Sequence, residues 1–461
     1  MTAAFHTLGC KTNAYETQAV IEQFQEYGFE TGDFSEKCDV YVINTCAVTG
    51  EAARKSRQIA GRCKKKNPDA LVVLTGCYAQ EAGEDLAKQA FADIIIGNGE
   101  KSRIAQIVAG RLGISGGIKE TASGKAGKGA DNSFLLISNL THERRYEDQM
   151  ISSQGDHVRA YVKIQDGCDR FCSYCIIPFL RGRSRSRKTA DIISEVKTLA
   201  SKGFQEVVLT GIDISSFQAD ENAEGDMSLA VLIRMISKVK GIERIRLGSL
   251  EAGIVSGQFI SSMKEIKEFC PHFHLSLQSG CDSVLRRMNR HYDTKEFAGA
   301  AAKIREVFPE AAITTDVITG FPGETAEEFA RTVQFVKDMK FSRLHVFPYS
   351  RREGTRADKM PDQIPKAVKE QRAKELIAVG EELKLDYESR FIGKPCRVLA
   401  EECISGENIF LSGYTREYVK VMIDTRKLPE ASCPDAGEIK NLVNTELEVY
   451  PAGFIKGVLY T

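Results

Sequence analysis

Cys168, Cys172 and Cys175 lie within eight residues, spaced C-x3-C-x2-C in the stretch QDGCDRFCSYCIIPFLRGRSRSRK, residues 165–188. The spacing is too tight for disulfides among the three in a regular element, and it suits a loop that wraps three thiolates around one inorganic cluster. A structural zinc ion wants four protein ligands, commonly as paired C-x2-C units, and no fourth Cys or His lies in this loop. Three thiolates on a four-iron cluster leave one iron open to a small molecule. A second trio is spread further along the chain: Cys10 in TLGCKTNAYE, Cys46 in INTCAVT and Cys77 in LTGCYAQ. Each follows a short apolar run by two residues. In a parallel sheet all strand carboxyl ends share one edge, so these three should converge there on a second metal cluster. Buried core thiols are the plainer reading of a cysteine, but core thiols have no reason to repeat three times at one structural phase. Cys38 and Cys63 break that phase and read as packing residues, while Cys270, Cys281, Cys396, Cys403 and Cys433 have no evident role.

The elements that must position these residues follow from the apolar pattern. From residue 3 to about 110, short strands (3–8, 40–44, 71–75 and 94–96) alternate with amphipathic helices, which predicts a flavodoxin or Rossmann-like parallel α/β domain over residues 1–112. Six glycines between residues 113 and 133, with few bulky apolar side chains, predict a linker over 113–153. A second α/β series follows over 154–385, with strands at about 158–164, 206–210, 243–248, 272–277, 313–318 and 342–347. Six βα units without a seventh and eighth predict an open, partial (βα)6 barrel of the TIM type. Thr325-Ala-Glu-Glu328 is a capping box that starts one of its helices. A charged helix over 364–391 leads to short alternating strands, which predict a small closed all-β barrel of OB type over 386–461, a scaffold that often carries single-stranded nucleic acid.

Composition sets the compartment. Lys+Arg and Asp+Glu both number 63, so nucleic-acid contact must come from local patches. No 18-residue apolar span and no secretory leader pattern are present, which predicts a cytoplasmic protein with no membrane partner. Thirteen cysteines in such a chain read as reduced thiols and metal ligands. Arg181, Arg183, Arg185, Arg187 and Lys188 follow the three-cysteine loop at once, a concentration expected to hold RNA phosphates near the reaction centre.

The string CDRFCSYCIIPFLRGRSRSR, together with GCKTNAYE, NTCAVT and TGCYAQ, resembles the methylthiotransferase branch of the radical S-adenosylmethionine (SAM) enzymes. LSGYTREYVKV is similar to the TRAM domain that closes most tRNA-modifying members. The resemblance implies two 4Fe-4S clusters, one on each cysteine trio, and SAM chelated by the open iron of the first. It implies that Gly211 and Asp213 meet the methionyl amino group, with Ser249, Glu251, Gln278 and Ser279 near the ribose and carboxylate. One SAM would be cleaved to a 5′-deoxyadenosyl radical that removes the C2 hydrogen of an adenosine beside the anticodon. A second would supply the methyl group, and the auxiliary cluster the sulfur. TLGCKTNAYE, QDGCDRFCSYC, GSLEA and HLSLQSGCDSVLRRMNR look most like the branch acting on N6-threonylcarbamoyladenosine at position 37. The alternatives are the isopentenyladenosine branch, methylthiolation of a ribosomal protein aspartate, and a non-enzymatic iron–sulfur RNA-binding module. The expected partners are the anticodon stem-loop of tRNA and an electron donor such as flavodoxin or ferredoxin, with the chain itself a monomer.

Overall fold

Isoleucines 94–96 are fully buried, the mark of a strand covered on both faces, and a helix between successive strands forces them parallel. The computed structural model describes residues 1–89, 91–117, 127–128, 133–155, 157–218, 229–404, 409–428 and 442–461. Cys433 and most of the expected linker between 118 and 132 lie outside them. The first sheet is built from β1 (Thr2–Thr7), α1 (Lys11–Glu26), β2 (Glu30–Thr31), β3 (Val40–Thr45), α2 (Gly50–Lys66), β4 (Leu71–Gly76), α3 (Cys77–Lys88), β5 (Ile94–Ile96), α4 (Ile104–Arg111), β6 (Gly127–Lys128) and β7 (Phe134–Leu136). Its order is β2-β1-β3-β4-β5-β7-β6. The expected end of this unit at residue 112 is corrected here: Phe134–Leu136 pairs parallel with Ile94–Ile96. Three apolar residues inside the presumed linker are enough to join the sheet, because the outer edge of β5 offers unpaired backbone N–H and C=O groups for them to meet.

A second series runs through β8 (Arg159–Lys163), β9 (Gln165–Asp166), α5 (Ile177–Arg181), β10 (Arg185–Ser186), α6 (Thr189–Ser201), β11 (Glu206–Thr210), α7 (Leu229–Ile236), β12 (Arg244–Leu247), β13 (Ser249–Leu250), α8 (Gly257–Lys264) and β14 (His272–Leu275). It continues with α9 (Asp282–Arg287), α10 (Thr294–Val307), β15 (Ala312–Thr319), α11 (Ala326–Met339), β16 (Arg343–Pro348) and α12 (Lys366–Ser389). The parallel sheets β8-β11-β12 and β13-β14-β15-β16 meet at Gly248, so residues 244–250 act as one strand interrupted by a glycine. The capping box at Thr325 and Glu328 is present, and Asp293 with Glu296 forms another at the start of α10. Helix α1 joins the two bodies: Tyr15 and Ala19 belong to the core of the second series, Val20 and Phe24 to that of the first. That double burial explains why α1 also hides Thr12, Asn13 and Glu16.

The chain closes with β17 (Cys396–Ile404), β18 (Phe410–Thr415), β19 (Lys420–Asp424), β20 (Glu446–Val449), β21 (Gly453–Ile455) and β22 (Val458–Tyr460), ordered β20-β17-β18-β19-β22-β21. Pairing is antiparallel except for the parallel β19 and β22, so the sheet is mixed, and no described ladder joins β20 to β21. This sheet docks on the strand starts of the arc, where Arg244 donates to the carbonyls of Tyr414 and Arg397 at 2.9 Å each. Arg246, buried with Glu206, donates to the carbonyl of Arg416 at 3.0 Å. Among the described residues no helix is long and apolar enough to cross a membrane.

Candidate active site

The loop of Cys168, Cys172 and Cys175 leaves β9 and returns through α5 to β10, and the antiparallel pairing of Asp166 with Arg185 clamps its base. Gly167 makes the entry turn at φ +72°, where a Cβ would lie 1.9 Å from the carbonyl oxygen of Arg183, so only glycine fits. Inside the loop the backbone N–H of Arg170 donates to Cys168 Sγ at 3.4 Å. Arg290 Nη1 donates to Cys172 Sγ at 3.1 Å while its Nη2 grips both oxygens of Glu251. Ser173 is pinned from the far side, its N–H on Met288 O and its hydroxyl on Arg287 O.

The second trio lies at the carboxyl edge of the first sheet, as strand-end geometry requires. Gly9, at φ +103°, brings its backbone so close to Cys46 that a Cβ would stand 3.0 Å from Cys46 Sγ. Asn13 ties two of the turns together, donating from Nδ2 to Leu8 O at 2.7 Å and to Thr45 O at 3.1 Å. Asn98 reaches from the end of β5 to the third, donating from Nδ2 to Cys77 Sγ at 3.7 Å and to Leu180 O at 3.0 Å. Leu180 belongs to α5, which begins two residues after Cys175, and with Ile176 it packs into the core of the first sheet. The two trios are thereby held side by side, and the charge of Cys77 is felt at Cys175.

Thiols in these positions suit metal ligation. Burial pushes Cys46 up to about 11 and Cys168 and Cys175 up to about 12. A thiolate there needs a cation to hold it, which a cluster supplies. The hydrogen bonds to Cys168, Cys172 and Cys77 all aim donors at sulfur, which favours the thiolate and fits iron–sulfur ligation.

The arginines behind the loop have a different occupation from the one their sequence position predicts. Arg181 is 1% exposed; its guanidinium donates to Glu16 Oε1 at 2.8 Å, Asp166 Oδ1 at 3.0 Å and Asn13 Oδ1 at 2.8 Å. Lys163 bridges the same two carboxylates at 2.7 and 2.8 Å, and Lys101 pairs with Glu16 as well. Arg187 is buried against Glu195 at 3.0 Å, and Arg185 is buried 3.6 Å from Asp166. Buried charges must be paired, and guanidiniums closed off in this way have no route to an RNA phosphate; the expectation is corrected for Arg181, Arg185 and Arg187. Arg183, paired with Asp169 at the surface, and Lys188 remain accessible.

A cavity of about 440 Å³ opens beside Cys10, with Gly211 and Ser249 in its wall. Gly211 is held by Gln165, whose Oε1 accepts from the N–H groups of Ile212 and Asp213 at 3.0 and 2.8 Å. Asp213 receives Arg170 Nε at 3.1 Å, and Glu251 carries Arg290, so both carboxylates serve side chains of the cysteine loop and its support. Gln278 sits at φ +68°, its backbone bonded to Asp316 O and Ile318 N. Ser279 is fully buried with its hydroxyl 3.2 Å from that of Thr332 on α11, away from the cavity. Asn13, Asn98 and Arg290 were not singled out from sequence. Asn13 and Arg290 had a signal, their places within the TLGCKTNAYE and HLSLQSGCDSVLRRMNR motifs.

Residues 2–97 match the Uncharacterized protein family UPF0004, and residues 162–336 match the Radical SAM superfamily. The chain is 39% identical over 425 residues to Threonylcarbamoyladenosine tRNA methylthiotransferase MtaB of Bacillus subtilis, covering 91% of this chain and 90% of that protein. It is 36% identical to the protein of the same name from Aquifex aeolicus (87% and 93% covered). It is also 32% identical to tRNA-2-methylthio-N(6)-dimethylallyladenosine synthase of Caldicellulosiruptor saccharolyticus (93% and 86% covered). Among solved structures, the radical S-adenosylmethionine methyltransferase TsrM from Kitasatospora setae shares the fold with a TM-score of 0.53 at 15% identity, covering 77% of each chain.

Proposed function

The chain belongs to the radical SAM tRNA methylthiotransferases, and from that premise we propose that its substrate is N6-threonylcarbamoyladenosine at position 37, converted to the 2-methylthio derivative. Radical SAM enzymes use a 4Fe-4S cluster and SAM, and the methylthiotransferase relatives carry a second cluster. In this reading Cys168, Cys172 and Cys175 hold the cluster that binds SAM, and Cys10, Cys46 and Cys77 hold the auxiliary one. The carrying observation is the Asn98 bridge between Cys77 and Leu180, which supports two clusters acting on one bound substrate. When bound, the clusters supply the electron that cleaves SAM and the sulfur that is transferred, chemistry that no side chain can provide.

The chain's own residues position the reactants. Gly211 and Ser249 offer cavity wall without bulk, and Asp213 and Glu251 hold Arg170 and Arg290 against the cysteine loop. We read the parallel arc as an open (βα)6 barrel and the C-terminal mixed sheet as a TRAM-like RNA-binding unit. Arg183 and Lys188 are the accessible remnant of the basic run that could meet the anticodon stem-loop. A small electron carrier such as flavodoxin or ferredoxin completes the reaction, with the enzyme acting as a cytoplasmic monomer. Substrate choice follows the threonylcarbamoyl-specific names of relatives at 34 to 39% identity. The decisive test is nucleoside mass spectrometry of tRNA from a strain lacking this chain. The 2-methylthio-threonylcarbamoyl nucleoside should disappear, and its retention refutes the substrate.

A further inference from the structure

The cavity beside Cys10 has an unusual lining for a pocket between packed domains. It contains no aliphatic side chain: besides glycines and hydroxyl residues it presents Lys11, His272, His274, Asp316, Arg343 and His345, with Tyr418 of the C-terminal sheet at one end. The two groups compared by the relatives' names differ in the same property. A dimethylallyl substituent is wholly apolar, whereas a threonylcarbamoyl substituent carries ureido N–H groups, a hydroxyl and a carboxylate. Apolar groups gain nothing from a wall of charges, and a buried carboxylate requires paired donors.

The charges in the cavity are unbalanced in the direction such a carboxylate needs. Its single lining carboxylate, Asp316, is engaged by His274 at 3.2 Å. Glu388, which also feels Arg343, pairs with Lys384 at 3.7 Å. Neither Lys11, which is half-buried, nor Arg343, exposed at the start of β16, makes a side-chain hydrogen bond or ion pair to any described residue, and both line the same cavity. Burial lowers the basicity of His345 despite Asp316, and lowers that of Lys11 as well, so the permanently protonated guanidinium of Arg343 is the principal cation of the wall. Lys11 comes from the residue after Cys10 and Arg343 from the start of β16, so their convergence exists only in the assembled chain.

We propose that Arg343 and Lys11 receive the carboxylate of the substrate's N6-threonylcarbamoyl group and thereby set the preference for that nucleoside over one with an apolar N6 substituent. This assignment rests on the function proposed above. Arg343 supplies a planar fork that can meet both carboxylate oxygens, and Lys11 a point charge beside it.

The test uses the full-length, anaerobically reconstituted enzyme and three anticodon stem-loop RNAs: one carrying threonylcarbamoyladenosine, one its methyl ester, and one isopentenyladenosine. RNA dissociation constants and methylthiolation rates are measured, with SAM affinity and iron content recorded for each variant. The wild type should bind the acid about tenfold or more tightly than its uncharged ester, as expected when a site built for a polar group meets an analogue lacking it. Arg343→Met should bring the ratio to within about twofold by weakening the acid alone, Lys11→Met should reduce it, and Arg343→Lys should retain part of it. A wild type indifferent to esterification overturns the proposal, as does a ratio unchanged in both methionine variants. Loss of SAM affinity with the RNA ratio intact also overturns it, assigning the cations to the methionyl carboxylate of SAM. A wild type that modifies only the isopentenyl RNA refutes the proposed substrate, a result distinct from the others.

Discussion

Arg181 donates from Nη2 to Asn13 Oδ1 at 2.8 Å, which ties the helix following one cysteine trio to the helix that begins at the other. The same guanidinium is shared by Glu16 and Asp166, and Lys163 and Lys101 complete the cluster. Two segments that each carry a cysteine trio are thus fixed by one buried ionic network rather than by apolar contact alone, and directional charge pairs resist sliding in a way that apolar packing does not.

Removing the hub should be costly. Arg181→Met leaves Glu16 and Asp166 short of a partner in the interior, and breaking a buried pair on one side costs about 3–5 kcal/mol. Urea unfolding followed by circular dichroism should show that loss. The double variant Arg181→Met with Glu16→Gln should cost less than the sum of the two single changes, because both act on one network.

Acid should unmake the same network. Burial alone would raise Glu16, but Arg181, Lys101 and Lys163 more than reverse it and hold the carboxyl well below the usual range; Asp166 is likewise depressed by Lys163 and Arg181 against its burial. A depressed carboxylate contributes stability that is complete above its unfolded value, about 4, and is lost as pH falls through the folded value. The stability gap between wild type and Glu16→Gln should therefore be constant from pH 7 to about 5 and shrink below about 4. Urea midpoints across that range measure it, and a gap that widens in acid contradicts the assignment.

The two trios should separate in iron content. Replacing Cys10, Cys46 and Cys77 by alanine should lower iron from about eight to about four atoms per chain and abolish methylthiolation while SAM cleavage persists. Replacing Cys168, Cys172 and Cys175 should remove the other half and end SAM cleavage. Iron unchanged in either variant argues against that trio as ligands.

Arg290 should tune the first cluster. Its 3.1 Å hydrogen bond to Cys172 Sγ offsets negative charge on the sulfur, and donors to ligating sulfurs raise the reduction potential. Arg290→Met should shift the midpoint to a more negative value with iron content preserved, as read by redox titration with electron paramagnetic resonance. A potential that does not move places Arg290 in a purely structural role through Glu251.

The sequence by itself determined what depends on local order. Strands with a cysteine two residues past their ends must bring Cys10, Cys46 and Cys77 to one edge, and the tight spacing of Cys168, Cys172 and Cys175 fixes them on one loop. Only the tertiary structure decided what each charge does. Arg181 follows the cysteine loop as a phosphate ligand would, yet Glu16, 165 positions earlier, captures it; Lys11, inside the TLGCKTNAYE motif, and Arg343, at the start of β16, are left unpaired at the cavity. A charged side chain carries no local record of its counter-ion, because that partner arrives from another element once the domains have packed. Ser279 and Phe134–Leu136 escaped for the same reason: which way a hydroxyl turns, or whether three apolar residues join a sheet, depends on neighbours distant in the chain.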